Sequence, residues 1–237
     1  MDAGRSPIGP LWHVRHKIPA NMPVSAQSER TFASMATMSQ ALSGRAFRPL
    51  IVGIGGTMRL GSSSEQALRF ALGKANELGA DTELLSGPDI ALPIYSPEVA
   101  DRNATAQHFV AVLRRAHGII VASPGYHGSL SGLVKNALDY AEDMRDDELP
   151  YFEGRAVGLI ACASGWQATG STLSALRSIV HALRGWPTPL GVAINTSDAS
   201  FDRDDIGACS AVAQRLSMLT AQVVQFARQR AAFELAR

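Results

Sequence analysis

Gly118-Ile119-Ile120-Val121-Ala122-Ser123-Pro124-Gly125-Tyr126-His127-Gly128-Ser129-Leu130-Ser131-Gly132 runs from an apolar stretch into a segment with a proline and three glycines. Leu133-Val134-Lys135-Asn136-Ala137-Leu138-Asp139-Tyr140 follows directly. A short, unbroken apolar run bounded by turn residues is what a strand buried on both faces gives. The residues after it carry helical spacing, so residues 131–143 are expected to form a helix. The whole reads as strand, loop and helix, the repeating unit of a parallel sheet. The loop itself holds no obvious acid, base or nucleophile. A nucleophile elbow needs Gly-x-Ser-x-Gly, and Gly128-Ser129-Leu130-Ser131-Gly132 places Leu130 at the centre.

The same unit recurs on both sides. Leu50-Ile51-Val52-Gly53-Ile54 is an apolar run bounded by Pro49 and Gly55-Gly56. Residues 63–78 place Ala67, Leu68, Ala71, Leu72, Ala75 and Leu78 on one helical face, and Gly79 ends the pattern. Residues 82–85 read as a second strand, 88–97 as a proline-punctuated loop and 105–117 as a helix. Residues 156–161 read as a strand, 171–184 as a helix, 190–194 as a strand, and a last helix starts near Asp204. This alternation predicts an α/β fold, a doubly wound five-stranded parallel sheet of flavodoxin-like order 2-1-3-4-5. Ligands in that topology bind beyond the carboxyl ends of the strands, at the switch between the first and third. Three loops meet there: residues 55–64, 123–132 and 164–170.

Residues 1–47 lack this periodicity. They are rich in Pro and Gly, and Asp2 and Glu29 are their only acids against Arg5, Arg15, Lys17, Arg30 and Arg45. They are expected to form a flexible arm ahead of a flavodoxin-like domain over 48–237, with Met35 and Met38 as alternative starts. Apolar residues make up 46% of the chain, ample for a core, yet no run nears the roughly 18 needed to span a membrane. A net charge of +1 gives no basic field for nucleic acid. The two cysteines supply no disulfide framework, and the histidines no metal spacing. A soluble protein of the reducing cytoplasm is expected.

The first loop, Gly55-Gly56-Thr57-Met58-Arg59-Leu60-Gly61-Ser62-Ser63-Ser64-Glu65, leads a strand into a helix N-terminus, where free N–H groups and the helix dipole favour an anion. Hydroxyls on Thr57, Ser62, Ser63 and Ser64 and the charge of Arg59 suit a phosphate monoester. It is neither a P-loop, having no lysine, nor a dinucleotide G-x-G-x-x-G, whose third glycine position is Met58. In the second loop Pro124 stiffens the exit from the strand. Gly125, Gly128 and Gly132 permit close backbone approach to a flat ligand, and Tyr126 offers a ring and a hydroxyl. The third loop, Ser164-Gly165-Trp166-Gln167-Ala168-Thr169-Gly170, repeats small residues, hydroxyls and one aromatic.

With these residues in view, the chain resembles the NAD(P)H-dependent FMN reductase family of flavodoxin-like proteins. Gly56-Thr57-Met58-Arg59-Leu60-Gly61-Ser62-Ser63-Ser64 resembles the family's G-S-x-R-x-x-S-x-N phosphate loop, with Thr57 and Ser64 as departures. The segment from Ser123 to Tyr140 resembles its T-P-E-Y-N-G-S-x-P-G-x-L-K-N-A-L-D-W stretch, with Gly125, His127 and Ser131 replacing Glu, Asn and Pro. The resemblance covers residues 48–196. It implies that Thr57, Arg59, Ser62 and Ser64 hold an FMN phosphate and that Pro124, Gly125, Tyr126 and His127 line the flavin ring. It also implies that Ser164, Gly165 and Trp166 approach the ring's pyrimidine side. The implied activity is hydride transfer from NADPH or NADH to FMN. Electrons then pass, in ping-pong fashion, to a free flavin, a quinone, an azo dye, a metal oxyanion or another small acceptor, in a homodimer or homotetramer. The cofactor supplies the chemistry, which accounts for a loop without acid, base or nucleophile. The competing reading is a flavodoxin-type electron carrier. Such carriers are typically acidic and use a phosphate loop without arginine, so Arg59 and the near-neutral charge argue against it.

Overall fold

A computed structural model describes residues 47–198 and 201–236. The expected arm over residues 1–47 falls, apart from Phe47, outside them. The strands are β1 (Leu50–Gly55), β2 (Asp81–Ser86), β3 (Gly118–Tyr126), β4 (Ser129–Leu130), β5 (Ala156–Ala163) and β6 (Trp186–Asn195). The α-helices are α1 (Ser63–Glu77), α2 (Ala104–Arg115), α3 (Gly132–Asp139), α4 (Trp166–Ala182) and α5 (Ser210–Leu235). Five strands run parallel in the order β2-β1-β3-β5-β6, and the two-residue β4 folds back antiparallel on the tip of β3. Without β4, this is the expected order 2-1-3-4-5, and the fold is flavodoxin-like.

Alternation along the strands divides the core. On β3, Ile119 and Val121 face a layer with Phe109, Leu113, Leu138 and Val180, while Ile120 and Ala122 face Leu68, Leu72, Leu216 and Leu219. Helices α1 and α5 therefore cover one face and α2, α3 and α4 the other. All eight residues of β5 are buried, as a central parallel strand requires. Each fully buried Leu, Ile or Phe contributes about 1.5–3 kcal/mol, so the sheet is a rigid base for the loops at its carboxyl edge.

Several boundaries differ from the sequence reading, three of them for a plain physical reason. β3 continues through Ser123, Pro124, Gly125 and Tyr126, because β5 pairs with the first two and β4 supplies a partner for the last two. α4 begins at Trp166 rather than residue 171: hydroxyls and Gly170 suggest a loop, but Thr169 and Ser171 hydrogen-bond back to the carbonyls of Trp166 and Gln167. β6 begins at Trp186 despite Pro187 and Pro189, which an edge strand tolerates. The helix after Ser131 passes into a 3₁₀ turn at Tyr140–Met144, and the last helix starts at Ser210 rather than Asp204.

The KNALD motif has a structural task. Asn136 donates to the carbonyls of Leu92 (3.1 Å) and Pro93 (2.9 Å) and accepts the Tyr95 N–H (2.8 Å). Arg102 makes two 2.8 Å bonds to Asp143 and lies 4.6 Å from the Tyr95 ring and 5.2 Å from that of Tyr140. The loop after β2 is thereby fastened to α3, whose first turn borders the site.

Candidate functional site

The first wall begins where β1 ends. A Cβ on Gly55 would stand 1.9 Å from the Ala122 carbonyl oxygen, and φ there is +148°, so only glycine fits. The chain then turns through Thr57, whose hydroxyl accepts the Arg59 N–H at 3.1 Å. Ser62 caps α1, its Oγ accepting the Glu65 N–H at 3.3 Å. Glu65 Oε2 accepts the Gly61 N–H at 3.0 Å, and Oε1 takes Arg69 Nε and Nη2 at 2.9 and 2.7 Å. The N–H groups of Ser62, Ser63 and Ser64 have no partner among the described residues. Three successive free donors at the positive end of a helix form an anion cradle. Arg59 stands beside it with its guanidinium in no hydrogen bond or ion pair among the described residues, unlike Arg69.

The second wall is the tip of β3. Tyr126 pairs with Ser129 across a two-residue turn in which His127 (φ 49°) and Gly128 (φ 86°) are both left-handed, the arrangement of a type I′ hairpin. Histidine is among the residues that tolerate this region. Ser123, fully buried, donates from Oγ to the Pro124 carbonyl and accepts the Ser131 N–H at 3.0 Å, fixing the entry to α3. Gly125 lines the site, but the place its side chain would occupy is claimed by α4. A Cβ there would stand 2.6 Å from Thr172 Oγ1 and 3.2 Å from the Ala168 carbonyl.

The third wall is the start of α4. Gly165, at φ 127°, caps the helix without a side chain and gives its N–H to Asn195 Oδ1 at 2.9 Å. The N–H groups of Trp166, Gln167 and Ala168 have no partner among the described residues. This is a second open helix N-terminus facing the crevice, with no cation beside it in the cavity lining.

The three walls enclose a cavity of about 860 Å³ at the carboxyl edge of β1, β3 and β5. Thr57, Arg59, Ser62, Ser64, Pro124, Gly125, Tyr126 and Ser164 line it. His127 sits exposed at the hairpin tip, while Gly165 and Trp166 flank the cavity without lining it. Gly132, read from the sequence as allowing close approach to a ligand, lines the cavity; the sequence reading missed Leu133 beside it, Cys162 at the end of β5, and Thr196, whose N–H bonds the Ala163 carbonyl at 2.9 Å. The rule that ligands gather at strand carboxyl ends, applied to β5 and β6, points to the last two. Cys162 forms floor rather than nucleophile: burial pushes its thiol up to about 12. Among the described residues Arg59 is the only charged side chain in the lining. Among the described residues no group of His, Cys, Asp or Glu could hold a metal, and no helix is long and apolar enough to cross a membrane.

A profile of the family described as NADPH-dependent FMN reductase matches residues 49–199. The FMN-dependent NADPH-azoreductase of Staphylococcus saprophyticus is 32% identical over 160 residues, 64% of this chain and 79% of that protein. Among solved structures, the flavoenzyme NAD(P)H:(acceptor) oxidoreductase FerB of Paracoccus denitrificans superposes with a TM-score of 0.62. Identity there is 16%, over 75% of this chain and 98% of that one. A WrbA-like flavodoxin protein from Agrobacterium tumefaciens gives a TM-score of 0.54 at 14% identity, over 77% and 99% of the two chains.

Proposed function

The chain belongs to the NADPH-dependent FMN reductase family, oxidoreductases with FMN as cofactor and NAD(P)H as electron donor, and from that premise we propose how its residues divide the work and where the electrons go. The observation that carries the reading is a cavity lined, among the described residues, by Arg59 and three unpartnered N–H groups on one side and an open helix N-terminus on another, with no Asp, Glu, His or Lys side chain. Such a donor set fits a phosphate dianion joined to a polar ring.

Thr57, Arg59, Ser62 and Ser64 hold the FMN phosphate, with the N–H groups of Ser62, Ser63 and Ser64 beneath it. Pro124, Gly125, Tyr126 and His127 border the flavin ring. Ser164, Gly165 and Trp166 approach its pyrimidine edge, where the free N–H groups and dipole of α4 favour negative charge, as an oxyanion hole does. Bound FMN supplies the hydride-accepting and electron-donating chemistry that these side chains lack.

Donor and acceptor use one stacking position in turn, so turnover is ping-pong. Small, flat or polarisable acceptors suit the site: free flavin, quinones, metal oxyanions, and azo dyes, which the relative's activity supports. Met58, Leu60, Tyr126 and Trp166, all more than half exposed on the three loops, support a homodimer or homotetramer that covers the cavity. A chain with only two cysteines, both buried, supports a cytoplasmic setting. Steady-state rates with NADPH against a quinone and an azo dye test the scheme. Parallel double-reciprocal lines are expected with each acceptor, and intersecting lines contradict a shared position.

A further inference from the structure

Glu65 is the only buried acid among the described residues, 2% exposed, and it lies in the first turn of the helix that offers the anion cradle. A carboxylate there disfavours a phosphate unless something offsets its charge, and burial makes an unpaired one costly. Arg69 supplies the offset through its two bonds to Oε1. The second carboxylate oxygen has an unusual target. In a Ser-x-x-Glu capping box the glutamate takes the N–H of the cap residue, here Ser62. Glu65 instead takes that of Gly61, one residue earlier, where φ is +67°. Ser62 N–H is thereby left open for a ligand. The uncharged Gly56 packs beside Glu65: a Cβ there would stand 3.3 Å from Glu65 Cβ and 3.6 Å from that of Ser86. Arg59 is the remaining charge on the loop.

We propose that the Glu65–Arg69 pair is a positioning device for the phosphate cradle and sets this protein's preference for phosphorylated over unphosphorylated flavin. Neither side chain lines the cavity. Glu65 acts through Gly61 by keeping the third donor free, and Arg69 acts through Glu65 by cancelling its charge. The inference rests on the reading that the cradle holds the FMN phosphate.

Fluorescence titration of the full chain, freed of flavin, with FMN and separately with riboflavin tests it. Arg69→Met should weaken FMN about tenfold, while riboflavin stays within about twofold, because only the phosphate meets the uncovered charge. Adding Glu65→Gln to that variant should restore FMN affinity. Should Arg69→Met not fold, Glu65→Gln alone decides: its amide oxygen still accepts the Gly61 N–H, and FMN should bind severalfold tighter with riboflavin unchanged. Parallel losses for both flavins, no rescue in the double variant, or an unaltered FMN constant in Glu65→Gln overturns the proposal. A wild-type chain that binds neither flavin overturns the cofactor assignment and the inference with it. A wild-type chain that binds FMN while the variants show no split overturns the inference alone.

Discussion

The site has two strand-to-helix junctions, at the starts of α1 and α4, built alike and charged differently. Each leaves three successive N–H groups unpartnered among the described residues. The α1 junction adds hydroxyls, a serine cap and the charge of Arg59. The α4 junction has a glycine cap at φ 127° and no cation in the lining beside it. A permanent dianion justifies a full positive charge, since charge-assisted bonds repay the desolvation of both partners. A ring edge that gains negative charge only on reduction is better served by a dipole, which favours that charge without fixing it. On the proposed reading, one backbone device serves as anchor at α1 and as tuner at α4, according to the side chains around it.

The most damaging way to break the comparison is at the α1 junction itself. Gly55→Ala forces a Cβ against the Ala122 carbonyl and should cost about 3 kcal/mol or more, seen as a large fall in denaturation midpoint. Next, Arg59→Ala should weaken FMN about tenfold to a hundredfold while leaving riboflavin unchanged. An equal loss for both flavins would show that Arg59 supports the loop rather than the phosphate. The α4 junction is sharpened by Gln167→Glu on its exposed second residue. FMN affinity should stay within about twofold and the flavin potential fall by about 10–30 mV, read by spectroelectrochemistry; an unmoved potential would separate α4 from the ring.

One more effect, on stability alone, lies outside both junctions. Arg102 holds the Asp143 carboxyl below its usual range, mainly by hydrogen bonding. A lowered folded value contributes stability above the ordinary aspartate pKa and loses it as pH falls through the folded one. Arg102→Met should therefore destabilise by about 1–2 kcal/mol at neutral pH, and the gap to wild type should shrink in acid. Denaturant midpoints at several pH values check it.

The sequence disclosed what depends on burial and hid what depends on partners. β1, β3 and β5 were legible because strands covered on both faces are continuously apolar. The phosphate loop was legible because Arg59 among hydroxyls is a chemical pattern rather than a structural one. The start of α4 was not: Thr169, Gly170 and Ser171 favour loop locally, and the helix there depends on Thr169 and Thr172 being fully buried against the fold. Nor could residue types alone show that Gly125 leaves room for α4, since that contact joins positions 125 and 172 across the sheet. His127, Gly165 and Trp166 rest on the family resemblance, and all three lie beside the cavity rather than in its wall.

The central claim is that this cavity holds FMN reducible by a nicotinamide without help from another protein. The most direct measurement is the absorbance spectrum of the purified chain before and after NADPH is added without oxygen. Flavin bands that bleach on addition are the expected result. Bands that persist until a separate reductase is supplied, or a chain that takes up no FMN when offered it, would contradict the account.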